Sequence, residues 1–259
     1  MGSLSPAERL RQARIVLQDR GIASPDLLAP EIRQSWDRCL EAGLEPNRSP
    51  ELIHAAGTVL EEARERHELT RRLALAEMHN LYHQISGSNF MIALGDPAGM
   101  VLDTITDDTF RTTADAKNIR AGGLWSELHQ GTNALGLAAA MRAPVTVHGP
   151  EHFFTTYGGL TCNAAPIFGP NGEIAAVLDA LIEMSAEPSA VPLISRWMNS
   201  AVCWVSSSGF TLWNPPISCR SLFQLPSSSV WLRAMVSMVR CSRAAIGNSS
   251  GVVRVVHVT

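Results

Sequence analysis

The chain has 259 residues, 46% of them hydrophobic, enough for one large domain or two small ones with a buried core. Only 17% are charged, and the deficit is local. The 24 Asp and Glu all fall at or before Glu187, against 15 Lys+Arg there, a net of −9; the remaining residues carry six Arg and no acid, +6.

Five cysteines stand at irregular spacing (Cys39, Cys162, Cys203, Cys219, Cys241), with no CxxC and no disulfide-scaffold pattern. The N-terminal stretch has no apolar h-region, which argues against secretion. Pro6 breaks the myristoylation pattern. The longest uncharged late run, residues 197–219, is broken by Asn199, Asn214, Pro215, Pro216 and several serines, so it does not read as a membrane span. The expectation is a soluble, cytoplasmic protein.

Residues 1–85 read as a helical region. Ser5-Pro6-Ala7-Glu8 combines an N-cap, a proline at the first helical position and a glutamate placed for a capping box. Leu10, Ala13 and Leu17 share a face, and Gly21 is a stop. Pro30 opens a second helix, with Ile32, Trp36, Cys39 and Leu40 at helical spacing and Gly43 at its end. Ser49-Pro50 opens a third, expected to run unbroken to about Ile85. At ~1.5 Å per residue it would span about 50 Å, either packing on its own copy in a dimer or lying across the following sheet.

From residue 86 the period shortens. Residues 89–95 (NFMIALG) and 100–106 (MVLDTIT) form a hairpin around Asp96-Pro97-Ala98-Gly99. Residues 107–121 read as loop or short helix. Residues 132–141 read as a small apolar helix closed by Pro144, followed by a strand at 144–148. Two more strands, 161–168 and 173–183, are joined by Gly169-Pro170-Asn171-Gly172. Strand pairs flanked by helices, without βαβ alternation, predict an α+β fold with an antiparallel sheet over residues 86–187. Residues 188–259 lose these signals and read as an aberrant, poorly ordered tail, although Val252, Val253, Val255 and Val256 suit a strand.

The densest polar cluster is residues 125–133. Thr132 or Asn133 caps the next helix, whose free N–H groups also suit an anion or carbonyl. His129 and His152 are histidines that either hydrogen-bond in place or approach one another, but no carboxylate or cysteine spacing supports a metal site. Cys162 reads as a small buried side chain unless the fold brings a histidine within reach as a base. Asp179 interrupts an apolar strand and needs a partner, either backbone or ligand. The only lysine, Lys117, is not in a P-loop, and no helix-turn-helix is apparent.

Residues 122–179 resemble the GAF sensor domain of sigma-54-dependent transcriptional activators of the acetoin catabolism regulator type. The matching residues are Trp125, Glu127, Gly131 to Gly136, Pro144-Val145, Gly149, Glu151-His152-Phe153, Cys162, Ala164 to Ile167, Gly172 and Val177-Leu178-Asp179. Ser35-Trp36, Arg38 and Gly43-Leu44 resemble the family's N-terminal helical segment, so the resemblance covers about 30–185. It implies a six-stranded antiparallel GAF-like sheet with flanking helices and a pocket for a small-molecule effector, with no cofactor. It also implies a cytoplasmic homodimer that does not touch the membrane. DNA and sigma-54 RNA polymerase contacts belong to an ATPase and a helix-turn-helix domain of full-length relatives, so this chain is expected to be a sensor without that machinery. Trp125, His129, Asn133, His152 and Cys162 are the pocket candidates. Two alternatives remain: an enzyme on the same scaffold with Cys162 as redox or nucleophilic residue, and a non-functional product of a gene frameshifted near residues 185–195, where acids and resemblance are lost together.

Overall fold

The computed structural model describes residues 4–85, 89–183, 202–206 and 209–213; the valine run at 252–256 lies outside them. Helix α1 (Pro6–Arg20) begins as its sequence dictates. The Glu8 carboxylate accepts from the Ser5 N–H (2.8 Å), the Ser5 hydroxyl accepts from the Glu8 N–H (3.3 Å), and Gly21 ends the helix in the left-handed region. Helix α2 (Pro30–Glu41) buries Ile32, Ser35, Trp36 and Cys39.

The long third helix is not continuous. Residues 50–56 lie outside helix because their backbone groups serve the loop at 118–130 instead. Gln130 donates to Glu51 O, Asn118 to Ile53 O, and Ala55 N–H to Gly122 O, each at 2.8 Å. Helix α3 (Gly57–Arg66) then stops at His67 (φ −105, ψ 17), and α4 (Glu68–Ile85) follows directly. On either side of this break an arginine grips the sheet edge. Arg64 donates twice to Leu102 O (3.0 and 2.9 Å), and Arg71 makes a two-pronged pair with Asp103 (2.7 and 2.9 Å). The break lets arginines seven residues apart reach adjacent residues of one strand.

Five antiparallel strands form the body of the sheet: β1 (Phe90–Gly95), β2 (Val101–Thr106), β3 (Val145–His148), β4 (Leu160–Phe168) and β5 (Ile174–Glu183), in the order β2-β1-β5-β4, with β3 on β4. The β1–β2 turn is tied by Asp96, whose carboxylate accepts from the N–H groups of Ala98 (2.9 Å) and Met100 (2.8 Å). Gly99 in it has φ +91, and a Cβ there would lie 2.5 Å from Ser126 N, so only glycine fits. The antiparallel sheet expected is present, but with seven strands rather than the six implied by the resemblance, because β6 (Val202–Ser206) and β7 (Gly209–Trp213) join it. β6 runs parallel to β4 at Ile167 and Phe168, on the edge that β3 occupies at Thr161 to Ala164, and β7 pairs antiparallel with β6. Both strands fall in the segment whose composition reads as a poorly ordered tail.

Every residue of β4 is buried, so both faces of the sheet are covered. On the outer face α4 packs Ala74, Met78 and Leu81 over Phe90, Ile92, Ile167 and Leu178; each such large side chain contributes roughly 2 kcal/mol on burial. The inner face is covered by α1, α2, α5 (Asp108–Ala116) and α7 (Ala134–Met141), with the short α6 (Glu127–Gln130) in the loop that precedes α7. The N-terminal helices thus share the inner core with the sheet, with Leu17, Trp36 and Cys162 in one cluster.

Candidate functional site

The inner face of β4 and β5 is roofed by residues 118–157. Glu127 anchors this roof to α2. Its carboxylate accepts from Arg38 Nε (2.8 Å) and Nη2 (2.9 Å) and from the Ser35 hydroxyl, which also meets Thr132 Oγ1 at 2.7 Å. Trp125 donates from Nε1 to Asn118 O (3.0 Å), and its ring lies 4.9 Å from that of Tyr157. The Tyr157 hydroxyl in turn donates to Gln130 Oε1.

Asn133 is the cap of α7: Oδ1 accepts from Gly136 N–H (2.9 Å) and Nδ2 donates to Gly131 O (2.8 Å). This settles the choice between Thr132 and Asn133, and it occupies both ends of the amide. Gly131 (φ +63) precedes it where a Cβ would lie 2.6 Å from that of Phe153.

His152 and Cys162 come together in the interior, Nε2 to Sγ 3.4 Å. The tautomer follows from the other nitrogen, because Nδ1 lies 2.9 Å from Gly149 O, and a carbonyl only accepts. Nδ1 therefore carries the proton and Nε2 accepts from the Cys162 thiol. Burial lowers the His152 pKa to about 4, more than the Gly149 bond raises it. Burial also pushes the Cys162 thiol well up, with Asp179 adding to it. The pair is thus neutral imidazole and thiol, the opposite of the thiolate a nucleophile requires.

His129 does not join this group. It is half-buried on α6, and its Nδ1 is 2.7 Å from Ser126 Oγ. Among the described residues no three His, Cys, Asp or Glu side chains are placed to hold a metal ion. A separate open cleft of about 360 Å³ lies between the β1–β2 turn, α6 and α7, lined by residues including Arg38, Pro97, Ser126, Glu127 and Ala139; none of the five candidates lines it.

Four groups on or around the inner face stand outside the five pocket candidates named from the sequence. Arg14 of α1 donates to the carbonyls of Pro150 (2.7 Å), His152 and Phe153, and its guanidinium lies 5.0 Å over the Trp36 ring. Trp36 Nε1 donates to Glu151 O (2.8 Å), so α1 and α2 together hold the segment bearing His152. Lys117 donates to Thr156 O and sits 5.6 Å over Tyr157. Asp179 of β5 was legible only as a strand carboxylate in need of a partner. It is 4% exposed, with its pKa raised to about 7 by burial despite a backbone bond from Asn163.

This arrangement, a mainly antiparallel sheet under helices and a roof loop, defines an α+β fold. The chain belongs to the family described as MimR, N-terminal domain, which matches residues 5–202. It is similar to the acetoin catabolism regulatory protein of Cupriavidus necator, 34% identical over 61% of this chain and 25% of that one. It is also 31% identical to the propane 2-monooxygenase operon transcriptional activator MimR of Mycolicibacterium goodii (62% of this chain, 26% of that one). The same identity holds for the acetoin dehydrogenase operon transcriptional activator AcoR of Bacillus subtilis (61% and 26%). The chain therefore spans about a quarter of the length of these relatives. Its fold matches a chain in the crystal structure of the E. coli DhaR(N)–DhaL complex, with TM-score 0.59 at 20% identity, covering 66% of this chain and 60% of that one.

Proposed function

We propose that this chain is the signal-sensing region of a transcriptional activator, and that it binds a small effector between the inner face of the sheet and the roof at 118–157. The observation that carries this reading is the set of polar side chains sealed beneath that roof in a domain whose relatives are activators. Trp125, His152 and Cys162 form the wall of the site, with Asn133 shaping its edge as a helix cap. The protein acts in the cytoplasm as a homodimer, and effector binding shifts its helices by differential affinity for two arrangements. Contact with DNA and polymerase is the work of the remaining three quarters of a full-length relative. No helix among the described residues is long and apolar enough to cross a membrane. The thiol chemistry of the alternative enzyme reading is disfavoured by the neutral state of Cys162.

The test is a thermal-shift screen of the full chain against small neutral and charged metabolites. A saturable rise in Tm, growing with the logarithm of concentration above Kd, is the expected result. A panel in which no compound stabilises the chain at millimolar concentration contradicts the reading.

A further inference from the structure

Asp179 faces inward from β5, between β1 and β4. Its cross-strand partners are Ala93 on β1 and Ala164 on β4, and cross-strand partners share a face. The carboxyl therefore sits in a row between two methyl groups, neither able to hydrogen-bond it. Its Oδ1 has no hydrogen-bond partner among the described residues. Asn163 Nδ2 is also unpaired, but it follows Cys162 in β4 and so points to the opposite face.

The other polar groups of the inner core are already spent. His152 is bonded at both nitrogens and the Tyr157 hydroxyl goes to Gln130. A buried acceptor left open is costly and rare in native structures, and calls for an explanation. The Asp179 carboxyl is buried beside two alanines, and adding a charged ligand there would cost a second desolvation, which disfavours one.

We propose that Asp179 reads the effector, and that the effector is a small neutral molecule whose hydroxyl donates to the open Oδ1. This rests on the sensing role proposed above. The raised pKa of Asp179 fits it, because a carboxyl that is substantially protonated near neutrality both donates to and accepts from one hydroxyl.

The test uses the full chain at pH 7 with three probes of similar size in titration calorimetry: acetoin, 3-methylbutan-2-one (methyl in place of hydroxyl) and sec-butylamine. The wild type is expected to prefer acetoin over the methyl isostere by about tenfold or more. Asp179→Leu should bind both alike, and Asp179→Ala carries the same expectation if the leucine variant does not fold. Asp179→Asn, which keeps a donor and an acceptor, should retain the preference. A merely structural role for Asp179 would leave the ratio of the two affinities unchanged. The proposal is overturned if Asp179→Leu or Asp179→Ala keeps the tenfold preference, if the wild type shows none, or if the amine binds best. If all three probes fail while another compound of the wider screen binds, the hydroxyl assignment falls and sensing stands; if no compound binds, both fall.

Discussion

His152 and Asp179 place two opposed pH dependences in one core. The His152 pKa falls from 6.5 to about 4, so its contribution is present above pH 6.5 and lost as pH falls towards 4. The Asp179 pKa rises from 3.8 to about 7, so its contribution is present below about pH 4 and lost as pH rises through 7. By linkage these shifts correspond to roughly 3 and 4 kcal/mol, of opposite sign over much of the same window. Each variant should expose the other group. Relative to wild type, Asp179→Asn is expected to gain stability as pH rises from 4 to 7, and His152→Gln as pH falls from 6.5 to 4. Urea denaturation across that range reads both, and parallel curves for variant and wild type would contradict the assignment. The charges that act on His152 are Arg14, His148 and Lys117, and Cys162 is coupled to Asp179, so these stay unmutated. At the same scale, Cys162 should resist iodoacetamide in the native chain and react only after unfolding, as mapped by mass spectrometry. Prompt native labelling would restore the nucleophile reading.

The N-terminal helix packs Ala13 and Leu17 into the inner core, and its polar hold on that core is Arg14. Arg14 gives α1 three hydrogen bonds to main-chain carbonyls in the 150–153 segment. Arg14→Met keeps most of the apolar stem and removes them, leaving buried carbonyls unmet. A loss of about 2–4 kcal/mol in urea unfolding is expected, with a rise in amide exchange confined first to 149–157; a loss below ~1 kcal/mol would mean that α1 does not hold that segment. Arg14 also marks where the sequence stops being legible. Signals within four residues were legible: the Ser5–Glu8 capping box and the Asp96 turn were read as they stand, and the cap of α7 was narrowed to Thr132 or Asn133. The break at His67 and the non-helical residues 50–56 were not legible, because their causes are Leu102, Asp103 and the 118–130 loop, far away in the chain. Arg14 is 136 residues or more from its partners. The approach of His152 to Cys162 was likewise an open possibility that only the fold settled, and His129 lies apart from that pair, half-buried on α6. Asp179 lay between these cases: its oddity in an apolar strand was visible, its open acceptor was not.

For the whole molecule, the change in composition at Glu187 does not coincide with the edge of the family match, which runs to residue 202, nor with β7, the last strand among the described residues. A frameshift near 185–195 remains our proposal for the acid-free segment, and resequencing the locus tests it: the other forward frames downstream should encode a Walker-type ATPase segment, and their failure to do so would dispose of it. The proposed homodimer should appear as twice the 28.0 kDa chain mass in light scattering. The proposed central claim, that the buried inner face rather than the open cleft receives the effector, is tested most directly by hydrogen exchange of the full chain with and without a saturating concentration of the compound that stabilises it most in the thermal-shift screen. Protection is predicted at 149–157 and along β5 around Asp179. Protection confined to Pro97–Gly99, Ser126–Leu128 and Ala139-Ala140, or none anywhere, would contradict it.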